Sequence, residues 1–174
     1  AVNRVVVGLS PTRGAKAAAG MAATKPASHV LTGFCNNRAG NTPTEEKHVL
    51  RVKSDCHHCF YTVSGGIREN ETSESAVIRE CYEETGYHFE IDRLVFIEER
   101  FFSVDNANHR EIVFFYLMRE ADIRIVSGIS TDQNNEHLYC IPLERLKHID
   151  LVPKFLKTSL ENIPSDITHI LSYE

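Results

Sequence analysis

Residues 73–85, "SESAVIRECYEET", constrain this 174-residue chain more than any other stretch, because here a β-like sequence changes to helical period. Val77, Cys81 and Thr85 recur every four residues, flanked by Ala76, Ile78 and Tyr82, and Gly86 stands where a left-handed C-terminal cap is expected. The pattern predicts one helix of about 13 residues. Around it the apolar runs are strand-like. Residues 29–34 and 48–53 ("HVLRVK") flank an Asn/Gly/Thr/Pro segment and predict a first hairpin. Residues 60–63 ("FYTV") predict a further strand, stopped at Ser64, Gly65 and Gly66. Residues 94–97 and 111–118 ("EIVFFYLM") predict two more, joined across the polar loop 103–110, with the second central and buried. Residues 122–126 and 138–141 are shorter strand candidates. Pro153 opens an amphipathic helix through Phe155, Leu156 and Leu160, and the run 167–171 closes the chain. The fold class that follows is α/β (α+β): a mixed sheet with a few helices packed on it.

The glutamates of the helix are placed against local stability. Glu80, Glu83 and Glu84 lie in its last turns, where the helix dipole is negative and cations are favoured. At about 100° per residue the three carboxylates share one face. Each like-charge pair costs a few tenths of a kcal/mol, and the dipole adds a similar penalty. A divalent cation removes that liability. Clustered carboxylate oxygens on a rigid helix, after a glycine turn able to offer a carbonyl, suit a hard ion such as Mg²⁺, which accepts phosphate oxygens in its remaining positions.

These residues together resemble the Nudix box: Gly, five residues, Glu, seven residues, Arg-Glu, an aliphatic, any residue, Glu-Glu, any residue, Gly, an aliphatic. Gly65, Glu71, Arg79, Glu80, Glu83, Glu84 and Gly86 fill every fixed position. Cys81 and Tyr87 replace two aliphatics, and Ser64 replaces the proline that often precedes the glycine pair. The resemblance spans residues 29–147 in layout and is specific over 65–87. It implies a MutT-like α/β/α sandwich that hydrolyses, with Mg²⁺ or Mn²⁺, the phosphoanhydride of a nucleoside diphosphate linked to another moiety, such as a (d)NTP, an oxidised nucleotide or an ADP-ribose-like compound. It also implies roles. Glu83 and Glu84 are the main metal ligands, Glu80 a further ligand or the water-activating base, Gly65 a carbonyl ligand, and Glu71 the partner of Arg79 in bracing the loop. The competing reading is a nucleotide sensor or protein-interaction module that keeps the box without catalysis.

Outside the box, substrate-binding candidates are fewer. Arg51 and Lys53 alternate along a strand near the glycine loop, within reach of phosphate. Phe102, with Phe101 and Tyr116, is an aromatic available to stack on a base, against the ordinary core role of strand aromatics. Glu111 begins a buried-looking strand. Glu136 sits where some relatives carry a second general base or a base-reading group.

Charge and cysteine usage narrow the setting. The net charge is -5, yet residues 1–44 carry five Lys/Arg and no acid, which leaves 14 basic against 24 acidic side chains beyond them. An acidic body repels the backbone of DNA or RNA, so a small-molecule nucleotide is expected in place of a nucleic-acid polymer. No apolar run approaches a membrane span. Five cysteines, an odd number in a chain large enough to build its own core, predict a reducing compartment, and "CHHC" at 56–59 lacks the second ligand pair of a structural zinc site. A cytoplasmic setting and, for this class, a homodimer are the corresponding expectations. Residues 1–28, rich in Ala, Gly, Ser and Thr, predict an irregular tail, with a composition that also fits a targeting segment, ahead of one domain over 29–174.

Overall fold

The computed structural model describes residues 4–6, 28–35, 48–55, 58–104, 106–119 and 136–173. They form eight strands: β1 (Arg4–Val6), β2 (Ser28–Cys35), β3 (His48–Ser54), β4 (Ser64–Gly66), β5 (Ile91–Val104), β6 (Ala107–Arg119), β7 (Glu136–Pro142) and β8 (Thr168–Tyr173). Two helices accompany them, α1 (Ser73–Thr85) and α2 (Leu156–Ser159), with a 3-10 turn at Leu143–His148. The expected α+β class and mixed sheet are therefore observed, with hydrogen bonding running in the order β7-β3-β2-β6-β5-β8. The pairs β2/β6 and β5/β8 are parallel, whereas β2/β3, β3/β7 and β5/β6 are antiparallel. β2 joins the two halves, pairing with β6 through residues 28–32 and with β3 through 33–35.

The predicted helix has the expected bounds. Thr72 caps it by accepting the Ser75 N–H at 3.1 Å, and Gly86, at φ 74°, donates its N–H back to the Tyr82 carbonyl at 2.9 Å. Ala76, Val77, Cys81 and Thr85 form the buried stripe, and Ser73 ties the helix start to β6 through the Tyr116 hydroxyl at 2.6 Å. β6 is central, as its apolar run required, with Val113, Phe115, Leu117 and Met118 all buried. Phe96 of β5 and Phe115 meet Phe155 beside α2 in edge-on ring contacts of 5.4 and 5.2 Å, and each other at 6.1 Å.

Other expectations are corrected. The polar stretch 103–110 is no loop: β5 and β6 run on as a hairpin, pairing Phe102 with His109 and Val104 with Ala107, because backbone pairing tolerates polar side chains on an exposed sheet. Residues 60–63 make only single bridges, to Val52 and Leu151, and the strand falls instead on Ser64–Gly66, whose side chains carry no strand signal. The helix after Pro153 is a single turn. Within the segment read as an irregular tail, Arg4–Val6 pairs antiparallel with Arg119–Leu117. Cys140 is disulfide-bonded, which the expected reducing compartment did not foresee, since an odd count still leaves room for a pair. Cys59 and Cys81 are free. The strand candidate 122–126, the turn between β2 and β3, and Cys56 and His57 of "CHHC" lie outside the described residues. No helix among the described residues is long and apolar enough to cross a membrane.

Candidate active site

β4, the loop after it and α1 bring the acidic face of the helix against the glycine pair. Gly65 lies directly beneath Glu80: a Cβ at position 65 would overlap the Glu80 carboxyl, whereas one at Gly66 would meet nothing. A side chain at position 65 therefore fits only if the Glu80 carboxyl moves aside.

Arg79 organises the acids. Its Nε and Nη2 donate to the two oxygens of Glu71, each at 2.8 Å, in the bidentate geometry that a planar guanidinium offers a carboxylate. Nη2 also donates to the Gly66 carbonyl at 3.1 Å, and Nη1 donates to Glu80 at 2.5 Å and to Glu83 at 3.0 Å. One side chain, 17% exposed, thereby locks the glycine turn, the following loop and the helix into a single register. The Arg79 bonds, helped by the Arg68 backbone N–H at 2.9 Å, lower the Glu71 pKa to about 2. Arg79 in turn is held above its ordinary value, chiefly by Glu71.

The three helix glutamates occupy different surroundings. Glu80 is largely buried, and burial raises its pKa despite the opposing Arg79 charge. Glu83 is 45% exposed and also accepts from Arg68 Nη2 at 3.2 Å. Glu84 turns toward the sheet, where its Oε1 accepts the Ser64 N–H at 3.1 Å. There it lines a cleft with Val52, Leu138 and Glu136. Among the described residues no three His, Cys, Asp or Glu side chains converge on one point as they stand, because arginine nitrogens lie between the carboxylates. The donor set still fits a hard cation: three carboxylates within two turns of a fixed helix, all oxygen, with Arg79 and Arg68 here bonded to Glu80 and Glu83 and the Ser64 N–H to Glu84.

The structure brings Gly65, Glu71, Arg79, Glu80, Glu83 and Glu84 together, and adds Glu136 from β7. The remaining candidates stand elsewhere. Val52 and Leu138 are opposite each other in the β3/β7 ladder and face the cleft, so strand alternation turns Arg51 and Lys53 to the other side. Lys53 lies over the Phe60 ring at 5.2 Å, and Arg51 is fully buried, its Nη1 donating to the Leu50 carbonyl at 2.6 Å. Phe102 and Glu111 are buried on the β5/β6 face that carries Phe96 and Phe115, opposite the face on which Tyr116 meets α1. Phe102 stacks on His109 at 5.4 Å, which occupies the ring expected to hold a base. Sequence reasoning missed Arg68, Ser64 and Tyr61, whose hydroxyl donates to Glu136 at 2.7 Å. Arg68 was within sight inside the box. The Tyr61 contact joins residues 75 apart and left no local signal.

The family model of the NUDIX domain matches residues 38–161. No curated protein matches the chain. Among solved structures, the MutT protein from Bacillus halodurans is similar at a TM-score of 0.52 and 15% identity, over 82% of this chain and 89% of that one. The MutT protein from Methanosarcina mazei Go1 gives 0.46 at 18% identity, over 79% and 92%. The Ap4A hydrolase of C. elegans gives 0.44 at 13% identity, over 79% and 91%. At 15% identity the Bacillus halodurans protein shares a fold with this chain.

Proposed function

This chain belongs to the NUDIX domain family, as a hydrolase acting on pyrophosphate bonds, and we propose that it uses Mg²⁺ or Mn²⁺ to cleave a nucleoside diphosphate linked to another moiety. The observation that carries this reading is the Arg79 brace, in which Glu71, Glu80, Glu83 and the Gly66 carbonyl bond to one guanidinium. A surface helix has no use for such a construction. A site that must hold closely spaced carboxylates in fixed positions requires it.

Glu83 and Glu84, with Glu80 and the Gly65 carbonyl, would hold the cation. When bound, it neutralises charge building on the phosphoryl group and lowers the pKa of water. The chain's own residues supply orientation and a proton acceptor. Water attacks one phosphorus, the anhydride P–O bond breaks, the leaving phosphate carries away the electron pair, and the proton of water passes to a carboxylate. Glu80, whose pKa is raised by burial, and Glu136, across the cleft from Glu84, are the acceptors available. Arg68, 61% exposed beside Glu83, is free to swing toward an incoming phosphate. A (d)NTP, an oxidised nucleotide or an ADP-ribose-like compound is the substrate class, because the box handles the shared diphosphate while loops outside it read the variable group.

The test is a panel of (d)NTPs, oxidised nucleotides, ADP-ribose, dinucleoside polyphosphates and NADH with Mg²⁺ or Mn²⁺. Wild-type protein should release phosphate or nucleotide product from at least one, and Glu83→Gln should lose activity by roughly 100-fold or more. Silence across the panel would leave a nucleotide sensor as the function.

A further inference from the structure

We propose that Tyr61 is a positioning residue of the hydrolytic site, its hydroxyl holding the Glu136 carboxylate across one cleft from Glu84. The inference rests on the hydrolase reading above and gives a role to a residue outside the box.

Tyr61 is fixed at both ends. Its backbone exchanges two hydrogen bonds with Val52 of β3, at 2.8 and 2.9 Å, and its ring is 5% exposed in the core. The hydroxyl is therefore a donor at a set point. From there it donates to Glu136 Oε1 at 2.7 Å, within the range of a charge-assisted O–H···O⁻ bond.

Glu136 needs such a hold. It is the first residue of β7, paired with Ser54 at the end of β3, and among the described residues the ladder supports it from one side only. It shares its cleft with another carboxylate, Glu84, which is anchored separately by the Ser64 N–H. Two like charges facing one cleft repel, and the phenol is the neutral donor that fixes one of them. Burial first, and then the hydrogen bond and charge of Glu136 with the charge of Glu84, push the Tyr61 pKa up, so the hydroxyl keeps its proton. Tyr61 itself acts only through Glu136, which it orients as one of the two carboxylates available to take the proton of water.

Tyr61→Phe keeps the ring and removes the hydroxyl, and with it both the bond to Glu136 and one with Ser54. The experiment measures kcat, KM and Tm for Tyr61→Phe, Glu136→Gln and the double variant, with wild type and Glu83→Gln alongside. The expected result is a kcat lowered about tenfold by Tyr61→Phe with KM unchanged, and a double variant no slower than Glu136→Gln alone. Losses that multiply in the double variant, or a kcat left unchanged by Tyr61→Phe while Glu83→Gln is inactive, would overturn the inference and leave the hydrolase reading intact. Glu136→Gln tests it without touching the core, since a wild-type kcat in that variant also overturns it. An inactive wild type would overturn both.

Discussion

Gly65 has no side chain because Glu80 stands where one would go. The constraint is steric and separate from any demand on φ, so it makes a clear prediction. Gly65→Ala should displace the Glu80 carboxyl and lower kcat/KM by roughly 100-fold, since small misplacements of catalytic groups cost about that much. A near-native rate would show that Glu80 tolerates the shift. Glu71 makes a different prediction through its proton. Its folded pKa, near 2, lies below the ordinary carboxylate value of 4.5, so the stability it contributes is fully present above about 4.5 and is lost as pH falls toward 2. Tm followed from pH 5 to pH 2 should drop less steeply in Glu71→Gln than in wild type. Equal slopes would mean that the Arg79 brace does not contribute to folding.

At the scale of elements, α1 illustrates how far local rules reach. Its length, its Gly86 stop and its stripe of Val77, Cys81 and Thr85 all lie within 15 consecutive residues, Thr72 to Gly86, and the structure agrees with them, adds the Thr72 cap and leaves Ile78 and Tyr82 exposed. Thr72→Ala removes the acceptor of the Ser75 N–H and should cost about 1 kcal/mol by chemical denaturation. Gly86→Ala forces an L side chain to φ 74° and should cost a similar amount. The β5/β6 hairpin illustrates the opposite case. Residues 103–110 are polar and were expected to be a loop, but the two strands continue through them because each supplies the other's backbone partners. Ser64–Gly66 becomes a strand by the same route, since β2 accepts it as a neighbour although its residues have little β preference.

At the scale of the molecule, the sheet decides which charges reach the cleft. β3 alternates Val52 toward Glu84 and Arg51 away from it, into the core. Arg51 is 0% exposed, its Nε and Nη2 have no partner among the described residues, and burial lowers its pKa to about 9. A buried cation with so few bonds is destabilising. Arg51→Met, of similar length, should raise stability by roughly 1 to 4 kcal/mol and leave KM unchanged. A large rise in KM would return Arg51 to the role of phosphate ligand that its strand position suggested. The same register places Glu136 opposite Ser54 and so beside Glu84, which no local pattern could announce.

The chain by itself determined what depends on neighbours a few residues apart: the helix with its Gly86 stop, the acidic face, the glycine turn and the Glu71–Arg79 spacing. These follow from helical period and backbone sterics, which act within one or two turns. Tertiary structure decided what depends on strand register: the extended hairpin, the turn of Arg51 and Lys53 away from the Glu84 cleft, the placing of Phe102 and Glu111 on the other sheet face, and the bond between Tyr61 and Glu136. A shift of one residue in a ladder reverses which face every side chain occupies, and that choice is settled by the whole core.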